Sequence, residues 1–185
     1  MQWLPHLNLV GKHALLGASK YHWIRYSDEK IADAYKKFRD IQRGTELHEL
    51  ASKLINMNVR LPEEEKTLNL FVNDAIGYHM QSEQILYYSE NCFGTADAIC
   101  FRNNILRIHD LKTGETKTHM EQLMIYAALF CLEYKVKPGE IDIILCIYQN
   151  NEIIELKPDV DDILHIMDRI IKADKIISAL REQEN

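Results

Sequence analysis

The chain lacks any apolar run long enough to cross a bilayer. Its longest candidate, residues 141–148, is interrupted by Asp142 and has the length of a strand, against the roughly 20 residues a spanning helix needs. A membrane role is therefore not expected. The opening MQWLPHLNLVGKH has no basic-then-apolar order of a signal peptide, so the expectation is a cytoplasmic chain. Cysteines number four, Cys92, Cys100, Cys131 and Cys146, with no CxxC pair among them. That spacing argues against zinc or disulfide partners and for reduced, mostly buried thiols. Internal repeats, linkers and low-complexity tracts are also missing.

What is present is ordinary globular material. The 185 residues are 46% hydrophobic and 27% charged, enough for one domain, 1–185, with a real core, and unlike a disordered, collagen-like or disulfide-scaffold chain. Net charge is −6, which by itself argues mildly against a nucleic-acid partner. The mean hides an asymmetry: residues 1–60 hold 10 Lys/Arg against 6 Asp/Glu, while residues 61–185 hold 12 against 22. A basic segment beside an acidic remainder can steer a polyanion onto one face, although scattered solvated charge explains most such asymmetries.

Apolar periodicity orders the elements. Ile31, Ala34, Tyr35 and Phe38 predict a helix over 27–41, which Gly44 ends. Thr45 is the expected N-cap of a second helix to about residue 57, with Leu47, Leu50, Ala51 and Leu54 on its buried stripe. Pro62 and the three glutamates after it predict a third helix running through Ile76. The period then becomes strand-like over 83–89, 93–101 and 105–111. A helix over 118–134, strands over 141–149 and 152–156 about an Asn150-Asn151 turn, and a helix over 159–180 complete the order. This predicts an α/β fold: a helical N-terminal part, 1–80, covering a mixed central sheet flanked by helices, 81–185.

The chemistry concentrates in GTADAICFRNNILRIHDLKTG, residues 94–114. Asn103-Asn104 suits a two-residue hairpin, because Asn tolerates the positive φ such turns require. Arg102 then faces Ile105, and counting back puts Asp97 opposite Asp110, about 5 Å apart at Cβ, on one face with the pairs Ile99–Ile108 and Phe101–Leu106. Two like charges there repel unless a cation joins them, and Mg²⁺ or Mn²⁺ is the expected guest of two carboxylates and water. Alternation puts Lys112 on the same face about 6.6 Å further along. Metal, carboxylates and lysine together suit metal-assisted phosphodiester hydrolysis, the alternative on spacing alone being a hairpin with ordinary surface acids.

With Gly94-Thr95-Ala96-Asp97, Asp110-Leu111-Lys112-Thr113-Gly114, the QxxxY pair Gln122 and Tyr126, and Gly44-Thr45-Glu46-Leu47-His48 in that family's order and spacing, the chain resembles the RecB-like exonuclease branch of the PD-(D/E)XK nuclease superfamily. The resemblance implies a restriction-endonuclease-like core and a Mg²⁺- or Mn²⁺-dependent DNA exonuclease. It implies His48, Asp97, Asp110 and the Leu111 carbonyl as metal ligands, with Asp97, Asp110 and Lys112 catalytic. Gln122 and Tyr126, i and i+4 on one helical face, would contact substrate. The implied setting is bacteriophage DNA recombination, processing or degradation, with DNA as partner and a single-strand-binding or annealing protein beside it. Two departures stand out. Asp110 occupies a position where the superfamily often has Glu, and with no cysteine before Cys92 or after Cys146 the iron–sulfur cluster of some relatives is not expected. A structure- or sequence-selective endonuclease on the same core, or a catalytically silent binding module, are the rival readings.

Other residues carry alternatives. Glu83 either reaches the cleft from the first strand or is an edge-strand surface acid. His109 alternates away from Asp110 and is expected under a helix. Arg102, Arg107, Lys117, Lys135 and Lys137 are candidates for phosphate contacts or plain surface. The segment from Gly17 to Ile24 resembles the polar-aromatic stretch that opens many RecB-like domains, where Tyr21 or Trp23 would stack on a base or join the core.

Overall fold

The computed structural model describes residues 14–16, 18–114 and 118–184. The chain divides after Thr45 into two compact units. In the first, a 3-10 helix over Ala18–Arg25 leaves Tyr21 exposed with its ring 4.4 Å from that of His22, and Trp23 half-buried. Gly17, which opened the polar-aromatic segment, and Lys117 lie outside the described residues.

Helix α1 (Asp28–Asn56) starts where the Ser27 hydroxyl accepts the Lys30 N–H at 3.3 Å. Two helices were expected here, and one continuous helix is found. Gly44 costs a helix interior about 1 kcal/mol without breaking it, and the expected N-cap Thr45 turns its hydroxyl back to the Ile41 carbonyl at 3.2 Å.

The start expected at Pro62 is also displaced. Asn69 donates to the Pro62 carbonyl, and Asn73 takes both the N–H and the carbonyl of Leu61, each at 2.9 Å, so the segment is held as a loop. Helix α2 (Thr67–Gly77) begins five residues later. Its first N–H is satisfied by the Asn151 side chain at 3.0 Å, which does for it what a local cap would.

Among the described residues the sheet has five strands in the order β1 (Gln81–Ser89), β2 (Cys92–Arg102), β3 (Ile105–Leu111), β4 (Asp142–Gln149) and β5 (Glu152–Leu156). Only β3 and β4 run parallel, joined by helix α3 (Glu121–Tyr134); the other pairs are antiparallel. The sheet is thus mixed, and helix α4 (Val160–Glu184) follows β5. Each face has its own core. Leu106, Ile108, Leu145 and Ile147 pack with α3 and with Ile163 and Ile170 of α4. Ala98, Leu111, Cys146 and Tyr148 pack with α2 and with Ala51 and Ile55 of α1. The parallel pair β3–β4 is buried by helices on both faces, as parallel strands favour. The four cysteines are free thiols, Cys131 and Cys146 buried and Cys92 and Cys100 half-buried.

Candidate functional site

The hairpin register expected from Asn103-Asn104 is observed. Both residues have positive φ, 52° and 59°, and the ladder runs from Arg102–Ile105 through Cys100–Arg107 to Ala98–His109. It stops one pair short of Asp97–Asp110. The cause lies in β1: Ser82 pairs with Ala98 and Gln84 with Ala96, while Glu83 between them adopts φ 51° and is skipped along with Asp97. A left-handed non-glycine residue costs about 1–2 kcal/mol. Alternation slips there, so that Ala96 and Ile99 both join the α3-side core while Ala98 joins the other. Asp97 therefore leaves the ladder. Its Oδ2 accepts the Leu111 N–H at 2.8 Å in place of a strand partner.

Helix α1 brings His48 to this point. Ser52, one turn later, bonds Ser82 at 2.9 Å and fixes the helix against β1, and His48 Nδ1 lies 3.3 Å from Asp97 Oδ2. The bond to Asp97, then the Asp97, Asp110 and Glu83 charges, hold the His48 pKa above its ordinary value against the effect of burial. Ligand atoms of His48, Glu83 and Asp97 all lie within 4.8 Å of one another. Burial first, and the Asp97 charge second, push the Glu83 carboxyl up. Glu83 is thus the residue that sequence reasoning left between cleft and surface. The signal was its place opposite Asp97 in the β1–β2 pairing, but a register shift between Tyr87 and Ser89 hides that pairing from any count based on the turn.

On the other side of Asp97 stands the second half of the site. Asp110 is 1% exposed, and burial, then the Asp97 charge, raise its pKa despite Lys112. Lys112 Nζ lies 2.9 Å from Asp110 Oδ2 and donates to Oδ1 at 3.2 Å; no hydrogen bond of good geometry reaches Oδ2 from the described residues. The same ammonium donates to Gln122 Oε1 at 2.9 Å, and Gln122 Nε2 donates to the Tyr126 hydroxyl at 2.9 Å. The i, i+4 spacing on α3 therefore acts as expected, with both side chains on one line ending at Asp110. Gly94 is required by this line: a Cβ there would stand 2.8 Å from Tyr126 Cε1.

The structure brings together His48, Asp97, Asp110, Lys112, Gln122 and Tyr126, and adds Glu83. Leu111 contributes its N–H to Asp97. Arg107 stacks over Tyr78 at 4.3 Å and Lys137 pairs with Glu140 at 2.9 Å, while Arg102 and Lys135 are exposed. His109 is packed beneath α2, as alternation expected. Three carboxylates, Glu83 and Asp110 both pushed up by burial and then by the Asp97 charge, together with an imidazole form a donor set that fits a hard divalent cation of the Mg²⁺ or Mn²⁺ kind.

A family model described as a protein of unknown function (DUF2800) matches residues 80–183. The match spans Glu83, Asp97, Asp110, Lys112, Gln122 and Tyr126 and begins after His48. No curated protein and no solved structure matches the chain. The chain belongs to the DUF2800 family.

Proposed function

We propose that this member of the DUF2800 family is a Mg²⁺- or Mn²⁺-dependent DNA exonuclease built on a restriction-endonuclease-like core. The observation that carries the reading is the convergence of Asp97, Asp110 and Lys112 where β2 and β3 part, with His48 and Glu83 added from α1 and β1. Asp97, Asp110, His48 and Glu83 would hold the cation, with the Leu111 carbonyl, which shares a strand edge with the N–H that Asp97 accepts. When bound, the cation polarises the phosphodiester and lowers the pKa of an attacking water.

Lys112 keeps a fixed positive charge beside the site and offsets the negative charge that builds on the phosphate oxygens. Gln122 orients that ammonium, and Tyr126 orients Gln122, so the charge is in place before substrate arrives. The preference for DNA ends rests on the GTxxH, GTAD, DLKTG and QxxxY resemblance.

Purified protein incubated with end-labelled linear DNA and closed circular duplex in Mn²⁺ tests this. Linear DNA is expected to shorten progressively from its ends while closed circles survive, with Asp110→Asn inactive on both. Rapid opening of circles by wild type but not by Asp110→Asn would replace exonuclease by endonuclease. No metal-dependent cleavage of either would remove the nuclease reading.

A further inference from the structure

The β1–β2 hairpin presents aromatic surface that the core does not use. Leu86 belongs to the α3-side core and Gly94 abuts Tyr126, so alternation turns Ile85, Tyr87, Phe93 and Thr95 to the opposite face. There Ile85, Tyr87 and Phe93 are 56%, 45% and 61% exposed. Tyr87 and Phe93 are cross-strand partners with rings 6.4 Å apart and 29° from parallel.

This face is continuous with the candidate site. Ser82 and Ala98, the pair just beyond Glu83 and Asp97, lie on the side to which α1 brings Ser52 and His48. From Tyr87 to Glu83, and from Phe93 to Asp97, is four residues of strand, roughly 13 Å. The hairpin is also held rigidly. Glu133 of α3 accepts the edge N–H of Tyr87 at 2.8 Å, and Asp174 of α4 accepts from Ser89 and Asn91 in the turn at 2.5 and 2.8 Å.

We propose that Tyr87 and Phe93 form a stacking platform for the unpaired bases of a DNA strand whose backbone leads to Glu83 and Asp97. Residues 61–185 hold 12 Lys/Arg against 22 Asp/Glu, and Tyr87 and Phe93 offer a nucleic acid an uncharged contact that does not depend on that balance. Aromatic faces supply such contacts to any base, without sequence preference. The pair is pre-ordered by its cross-strand stack and the anchors at Glu133 and Asp174, so little side-chain freedom is lost on binding. The inference rests on the nuclease reading, because it takes the acids as the destination of the strand.

Fluorescence anisotropy in Ca²⁺ with a labelled oligothymidylate, and with an abasic oligonucleotide of equal length, tests it. Tyr87→Ala and Phe93→Ala are each expected to weaken oligothymidylate binding about ten-fold and leave the weaker abasic binding unchanged. Phe93→Leu, which keeps apolar area without a ring, should behave like Phe93→Ala, and Phe93→Trp should bind like wild type. Oligothymidylate affinity within two-fold of wild type in both alanine variants, or equal loss on the abasic strand, overturns the platform. Self-association of wild type that Phe93→Ala abolishes, with DNA affinity intact, would overturn it in favour of an interface between copies. Mn²⁺ cleavage separates the two readings: cutting by wild type with unchanged variant affinities removes the platform alone, and discrimination against the abasic strand without any cutting removes the nuclease alone.

Discussion

His109 and Asp110 are neighbours on β3, each 1% exposed, yet they belong to opposite faces of the sheet and to different chemistry. On the α2 side, Tyr148 spends its one proton on Asp74 at 2.8 Å, so His109 Nδ1 must donate to the Tyr148 oxygen at 3.0 Å. Burial first, and the Arg107 charge second, drive the His109 pKa down to about 3, and the imidazole stays neutral. On the α3 side, Asp110 suffers the same desolvation, but the Lys112 ammonium and the His48 charge oppose it. Burial alone makes a neutral structural residue. Burial beside a second acid and a fixed charge of opposite sign leaves a carboxyl whose pKa is raised but whose proton is contested by its neighbours.

The largest expected effect breaks the Asp110 side. Asp110→Asn and Lys112→Ala should each lower Mn²⁺-supported DNA cleavage by about 10²–10³-fold, with DNA affinity nearly unchanged. Their stabilities should part company: Lys112→Ala leaves a buried carboxylate without its counter-charge and should cost about 1–3 kcal/mol, whereas Asp110→Asn removes the charge itself and should cost less. Urea unfolding of both variants beside a cleavage assay checks the pair. An unchanged rate in Lys112→Ala would take lysine out of the mechanism.

Gly94→Ala should follow. The added Cβ must push the Tyr126 ring, at about 1–3 kcal/mol, and disturb the chain from Tyr126 through Gln122 to Lys112. Adding Tyr126→Leu should restore stability without restoring cleavage, measured as a double-mutant cycle.

On the other face, Tyr148→Phe leaves the His109 N–H and the Asp74 carboxylate without their shared partner. A loss of about 1–2 kcal/mol is expected in denaturant unfolding, with the cleavage rate intact.

The smallest and most specific effect is a pH slope. An unfolded histidine titrates near 6.5 while native His109 titrates near 3, so below pH 6.5 the unfolded chain takes up a proton that the native chain refuses. Stability should fall as pH drops from 6.5 to 5, before most carboxylates begin to titrate. His48 does not mask this, because a raised pKa contributes fully below 6.5 and is lost only as pH rises above it. His109→Gln should flatten the slope; a slope equal to wild type would show that His109 is not its source.

Much of this was legible along the chain, because it depends on neighbours in sequence. Asn103-Asn104 specified the β2–β3 turn and its register, since few residues tolerate two successive positive φ angles. Apolar periodicity located α3, β3, β4, β5 and α4 to within about four residues, and the i, i+4 spacing of Gln122 and Tyr126 placed both on one line. What tertiary structure alone decided involves residues far apart. Whether Gly44 ends a helix depends on packing, since its intrinsic cost is near 1 kcal/mol. The start of α2 depends on Asn69 and Asn73 claiming the backbone of 61–62, and on Asn151 arriving from the β4–β5 turn. The kink at Glu83, which frees Asp97 from its ladder and adds a third acid to the site, appears only when β1 is laid beside β2 under a bulged turn. The fates of His109 and Asp110 were separable by alternation, but their protonation was not, because it depends on which side chains the fold brings within a few ångströms and how completely water is excluded around them.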